Sequence, residues 1–320
     1  MSALLEVENL HKNFSLGSRT ATIRAVNDVS FRQSRGETIG IVGESGCGKT
    51  TLARLVLRLI EPTSGAIRFE GEDIQALSAS ALRHRRRDMQ MIFQNPFSSL
   101  DARMRIGALI AEPLVIHGIG DAASRRDEVV KLLELVGLPR DAIDRYPHEF
   151  SGGQRQRVCI ARAVALKPKL VVADEPVSAL DVSIQSQILN LLVDLRAELG
   201  LSYLFISHDL AVVKHICDTL AVMYLGEIVE MGPADRIFAS PQHPYTQALI
   251  SAIPEPVPGR KRERIVLSGD VPSPEHPPAG CPFHPRCHRA FAPCATERPT
   301  PVVDASGGSE HRVSCHLSSI

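Results

Sequence analysis

The stretch Gly43-Glu44-Ser45-Gly46-Cys47-Gly48-Lys49-Thr50 has the glycine spacing of a phosphate-binding loop, closed by a lysine and a hydroxyl. It follows the short apolar run 38–42 and opens a helically periodic segment, 51–60, so it stands at the strand-to-helix junction that such a loop requires. There, backbone N–H groups and the positive end of a helix form a nest for nucleotide phosphates. Lys49 is expected to neutralise β- and γ-phosphate charge and the Thr50 hydroxyl to ligate Mg2+, with Thr51 completing the phosphate lining.

A second chemical pair ends the run Leu170-Val171-Val172-Ala173-Asp174-Glu175, whose apolar part reads as a buried strand. Asp174 is expected to hold Mg2+ through water, and Glu175 to polarise an attacking water as general base. Alone, an acidic pair after an apolar run is commonly a strand end meeting solvent. Between the two motifs, Ser151-Gly152-Gly153-Gln154-Arg155 leads into a helix running through Ala165 and offers another helix-terminus phosphate site. One nucleotide does not need two such distant sites from one chain. The natural use of the second is to cap the γ-phosphate held by another chain's loop.

These residues need a scaffold, and the pattern supplies one. From 4 to 31, apolar and polar residues alternate around Gly17, as in antiparallel strands. Strand candidates at 66–69, 89–93, 170–173, 203–206 and 219–224 mostly alternate with helices, which predicts an α/β fold on a largely parallel sheet. Between 94 and 146 the strands vanish, and 108–117 and 124–136 show i, i+3, i+4 apolar spacing, so this region reads as a helical insertion. Beyond Pro254 the chain turns to Pro, Gly, Arg, His and Cys without periodicity, and Pro272, Pro274, Pro277 and Pro278 forbid a regular element there. The tail is expected to be a separate irregular unit.

Taken together, the motifs resemble those of ABC transporter ATPases. Ser151 to Arg155 looks like their signature motif, with Phe150 where Leu is more usual. The resemblance implies a P-loop ATPase with a RecA-like core, an antiparallel β subdomain and a helical signature subdomain at about 95–165. It also implies roles for four further residues. Gln94 is similar to the Q-loop glutamine that senses Mg2+ and the catalytic water. Asp181 closes a Ser178-Ala-Leu-Asp181 D-loop, and His208 resembles the switch histidine at the γ-phosphate. Phe14 stands where an aromatic would stack on adenine, although a strand Phe is more often core; Val26 is the alternative, lining the ribose. ATP would join two such domains head to tail. Each composite site would combine one chain's Lys49, Thr50, Gln94, Asp174, Glu175 and His208 with the partner's Ser151, Gly153 and Gln154.

Phe93-Gln-Asn-Pro-Phe-Ser-Ser-Leu-Asp101, Asp174 to Gln185 and His243-Pro-Tyr-Thr246 extend the likeness to oligopeptide/dipeptide importer ATPases, most nearly their F-type subunit. That implies an ATPase domain at 1–253 and a C-terminal extension at 254–320. It also implies a D-type ATPase partner in a heterodimer, two permease subunits, an extracytoplasmic binding protein acting indirectly, and a peripheral place on the cytoplasmic face of the inner membrane. Peptides are the expected cargo, with nickel chelates, glutathione or oligosaccharides as alternatives. A soluble ABC ATPase of DNA repair or translation is the rival of another class, but such proteins usually carry two cassettes or a long coiled coil, and neither occurs here.

The tail carries four of the seven cysteines: Cys281, Cys287, Cys294 and Cys315. In a reducing compartment such a cluster reads as metal binding before disulfide. Four thiolates suit a [4Fe–4S] cluster or Zn2+, and the family resemblance implies the cluster. Reduced thiols in a loose tail are the plainer alternative.

Composition narrows the classes further. Thirty-six Lys and Arg balance thirty-six Asp and Glu, so no overall field draws the chain to nucleic acid. No apolar run approaches the roughly 20 residues of a spanning helix, and acids occupy the N-terminus where a secretory signal would be basic. The chain is therefore expected to be cytosolic and to reach a membrane by docking. The dense basic run Arg83-His84-Arg85-Arg86-Arg87 reads as a solvated helix face, with lipid or permease contact as the alternative.

Overall fold

The structure is a computed structural model that describes residues 3–15, 22–254, 264–304 and 310–319. The chain divides into two compact units, one of Met1–Gln33, Thr38–Gln75 and Ser207–Ile320, the other of Ser34–Glu37 and Ala76–Ile206.

The first unit opens with β1 (Leu5–Ser15) and β2 (Thr22–Gln33), followed by β3 (Thr38–Val42), α1 (Lys49–Val56), β4 (Ser64–Phe69) and β5 (Glu72–Asp73). As the alternating pattern predicts, β1 pairs antiparallel with both β2 and β4, and this sheet has the order β2-β1-β4-β5. The helix after the loop is shorter than its periodicity predicts, because Arg58 turns left-handed at φ 47° soon after Val56.

The second unit continues with α2 (Ala79–Arg85), β6 (Met89–Ile92), α3 (Pro96–Ser99), α4 (Ile106–Ile116), α5 (Ala122–Leu135), α6 (Gly152–Val164), β7 (Leu170–Asp174), α7 (Val182–Leu199) and β8 (Ser202–Ser207). β6, β7 and β8 are parallel neighbours, and β7 and β8 are buried along their whole length. That burial on both faces explains their unbroken apolar character. The two helices expected in the insertion are present as α4 and α5, the latter started by a capping box between Asp121 and Ser124.

The basic run is not simply a solvated face. Arg83 donates to the Ile116 carbonyl at 3.2 Å, at the negative end of α4, and Arg85 pairs with Asp88 at 3.3 Å.

The chain then returns to the first unit with α8 (Leu210–Ile216), β9 (Thr219–Tyr224), β10 (Glu227–Pro233), α9 (Ala234–Ala239), α10 (Pro244–Ser251), β11 (Val302–Asp304) and β12 (His311–Val313). β9 runs parallel to β3 and antiparallel to β10, across a turn in which Leu225 and Gly226 both have positive φ. Contrary to the expectation of a wholly irregular tail, β12 pairs with β10 and with β11, adding two strands to the edge. Strands of three residues are too short to show a period. From 264 to 301, the described residues hold only bends, turns and short 3-10 segments. No helix among the described residues is long and apolar enough to cross a membrane.

Candidate functional site

The P-loop lies in the first unit between β3, every residue of which is buried, and α1. Gly48 caps α1 at φ 104°, and a Cβ there would stand 2.1 Å from the Ala25 carbonyl, so only glycine fits. Gly43, Cys47 and Gly48 are buried, whereas Ser45 and Gly46 are exposed at the loop tip and Thr50 and Thr51 are half-buried. The Lys49 ammonium is buried and donates to the carbonyls of Gly43 and Glu44 at 2.8 and 2.9 Å. Burial pushes the Cys47 thiol up, although nearby Lys49 opposes that shift. A raised thiol is less ready to form the reactive thiolate than a free one.

The second residue of the loop, Glu44, is held from the far end of the sequence. The Arg286 guanidinium forks onto its carboxylate at 2.6 and 3.1 Å, and the Tyr245 hydroxyl oxygen accepts its backbone N–H at 2.9 Å. Behind these contacts the rings of Tyr224, Tyr245 and Phe283 meet at centroid distances of 4.8 to 5.2 Å. His243 caps α10 by accepting the Tyr245 N–H at 3.1 Å on Nδ1, and is itself seated by Glu230. His243-Pro-Tyr therefore does more than mark a family likeness, because its tyrosine reaches the P-loop. Sequence reading missed Arg286, Tyr245 and Glu230; the signal for Arg286 was hidden inside the Cys281-to-Cys287 segment.

Cys281, Cys287, Cys294 and Cys315 line one small cavity together with His243, His284 and His316. Gly280 comes so close to the segment after Cys294 that a Cβ would lie 2.6 Å from the Cys294 carbonyl, and it adopts φ 63°. Burial first, and then mutual repulsion, pushes the Cys281 thiol up to about 11 and raises those of Cys287 and Cys315. None of the seven cysteines forms a disulfide. Among the described residues, no group of three or more His, Cys, Asp or Glu side chains is arranged to hold a metal ion.

In the second unit, Asp174 is buried at the end of β7 and Glu175 follows it at φ 47°. The Glu175 N–H is anchored to the Ile206 carbonyl at 3.0 Å, and its carboxylate accepts from Gln94 Nε2 at 3.0 Å. The structure thus brings Gln94 and the base candidate Glu175 into direct contact. Ser151 and Gln154 form a capping box at the start of α6 (3.3 and 3.0 Å), and a Cβ on Gly153 would meet Ile184 at 2.5 Å. Asp181 starts α7 beside Val182, which is 79% exposed.

Back in the first unit, His208 is exposed just after β8. Phe14 is 39% exposed at the end of β1, with Lys12 Nζ 5.0 Å from its ring centroid, whereas Val26 is fully buried. Exposure suits Phe14 to stacking, while burial leaves Val26 a packing role.

Two family models match the chain: ABC transporter over residues 26–178, and oligopeptide/dipeptide transporter, C-terminal region, over 229–294. The dipeptide transport ATP-binding protein DppF of Escherichia coli is 52% identical over 277 residues, covering 87% of this chain and 83% of that protein. DppF of Haemophilus influenzae is 51% identical over 284 residues, covering 89% and 87%. The chain is an ABC transporter ATPase of the oligopeptide/dipeptide family. Its fold agrees with a solved ATP-binding cassette, MJ0796, in a dimeric post-hydrolysis state bound to ADP and Pi; that match has 28% identity and a TM-score of 0.65, covering 72% of this chain and 98% of that one.

The C-terminal family region, 229–294, contains Glu230, His243, Tyr245 and Arg286, the residues that reach or support Glu44. In this ABC ATPase the family-specific region and the phosphate loop therefore share one hydrogen-bonded structure.

Proposed function

We propose that this ABC ATPase powers the uptake of peptides through partner permease subunits, as the F-type member of a pair with a D-type ATPase. In that reading it sits on the cytoplasmic face of the inner membrane and is fed indirectly by an extracytoplasmic binding protein. The observation that carries the proposal is the oligopeptide/dipeptide C-terminal region at 229–294, backed by relatives named for dipeptide transport. In the same proposal the ATPase domain spans 1–253, with its helical part at about 95–165, and an extension follows at 254–320.

Within the ATPase, Lys49 and the loop amides bind phosphate charge, and Phe14 stacks on the base. Thr50, Gln94 and Asp174 would hold Mg2+, a donor set of hydroxyl, amide and carboxylate oxygens that suits a hard cation. When bound, the ion neutralises phosphate charge. Glu175 takes the proton of the attacking water while Gln94 orients its carboxylate, and His208 contacts the γ-phosphate. Ser151, Gly153 and Gln154, with Asp181, serve the partner's nucleotide.

The four cysteines of the extension would hold a [4Fe–4S] cluster. Their donor chemistry fits, since four cysteine side chains line one small cavity and thiolates are the usual ligands of such a cluster. Zn2+ is the alternative occupant, since four thiolates suit it on ligand grounds as well. When bound, the cluster would cross-link the irregular segment to β12.

The test is co-purification of the tagged chain with hydrophobic permease subunits, together with growth of a deletion strain on defined peptides as sole nitrogen source. Association with ribosomes or DNA, or unimpaired growth on every peptide tried, would refute the reading.

A further inference from the structure

We propose that Arg286 is a positioning residue for the nucleotide site, holding the P-loop in its phosphate-binding form through Glu44. Each polar part of Glu44 is fixed from a different side. Its carboxylate is forked by Arg286, its N–H donates to Tyr245, and its carbonyl accepts from Lys49 Nζ at 2.9 Å. The first two partners lie 242 and 201 residues away in sequence, and the third is the lysine that meets the phosphates. The Arg286 side chain is 7% exposed and that of Glu44 28%, so solvent screens this part-buried pair less than it would a surface one.

The charges set the direction of the effect. A carboxylate at the second position of an anion-binding loop places negative charge beside the phosphates. Arg286 neutralises that charge and holds the carboxylate on the side of the aromatic cluster. Without Arg286, the carboxylate opposes nucleotide binding, and the carbonyl that steadies Lys49 loses its anchor. Arg286 itself lies between Cys281 and Cys287, one residue before the latter, so the fold of the cysteine-lined segment reaches the ATP site through this side chain.

The test is steady-state ATP hydrolysis by the full chain in its transporter complex, comparing Arg286→Ala, Glu44→Ala and the double variant. Arg286→Ala should raise KM for ATP roughly tenfold, the size of a charge-assisted bidentate contact, and change kcat by less than about twofold. The double variant should recover most of that loss, because the uncompensated carboxylate is gone. A purely structural role predicts the opposite: kcat and the active fraction fall together, KM stays constant, and Glu44→Ala gives no rescue. That result would overturn the proposal. Should Arg286→Ala not fold, Arg286→Lys keeps the charge without the fork and should raise KM about threefold, more so at high salt. An Arg286→Lys enzyme with unaltered KM at every ionic strength would equally overturn it.

Discussion

Replacing Glu230 by Ala is the most exacting test of how the C-terminal region is held. Glu230 lies on β10 with its side chain fully buried, and one oxygen accepts from Gln242 N–H and His311 Nε2–H, both at 2.8 Å. The other accepts from His243 N–H at 2.9 Å. Burial alone would raise the pKa of this carboxyl, but the hydrogen bonds from His311, from the Thr246 side chain and from the two backbone amides outweigh it and hold the group below its ordinary range. The alanine variant strips all three donors of their acceptor. Two of these residues, His243 and His311, are fully buried, and each orphaned donor costs about 1–3 kcal/mol. The vacated volume adds a further penalty, which relief from burying a charge partly offsets, so the net loss is about 3–5 kcal/mol. At roughly 2 °C per kcal/mol for a chain of this size, the melting temperature at neutral pH should fall by about 6–10 °C. Scanning calorimetry of wild type, Glu230→Ala, His311→Ala and the double variant would measure this. Because the residues share one contact, the double variant should lose less than the sum of the single losses. A Glu230→Ala protein melting within a degree of wild type, or strictly additive losses, would refute the reasoning.

Three other outcomes follow from the same geometry. Glu175→Gln keeps the backbone anchor to Ile206 and an acceptor for Gln94 but cannot take a proton; hydrolysis should drop by about 10²–10⁴-fold with ATP binding retained and a dimer visible on gel filtration, whereas normal turnover would remove Glu175 from the role of base. Burial pushes the His243 imidazole down to about 4, against the pull of Glu230, so the folded state resists a proton that the unfolded chain accepts below its ordinary 6.5. Stability should be full above that value and fall by about 2 kcal/mol between pH 7 and pH 5, and His243→Asn, which keeps the cap without titrating, should flatten urea midpoints over that range; an unchanged slope would count against the assignment. Cys287→Ser should abolish visible absorbance in purified protein, and stoichiometric zinc in the wild type would instead exclude the iron–sulfur reading.

Much of the site was legible in the residues themselves. A phosphate loop, an acidic strand end and a glycine-led helix each work within a few consecutive residues, so their chemistry imposes a spacing that survives in one dimension. The same locality made β7 and α5 readable, one from an unbroken apolar run and the other from its periodicity. The end of the tail was not, since β11 and β12 gain their meaning from β10 and not from any pattern of their own.

By itself, the amino-acid order determined that this chain binds and hydrolyses ATP and which side chains are suited to do so. Only the tertiary structure decided that Phe14 is exposed while Val26 is packed, that Gln94 touches Glu175, and that four dispersed cysteines line one cavity. It alone joined Glu44 to Tyr245 and Arg286. The physical reason is that a part-buried ion pair depends on where two distant segments meet and how well water is excluded there. Neither leaves a period or a spacing in the sequence that could be read in advance.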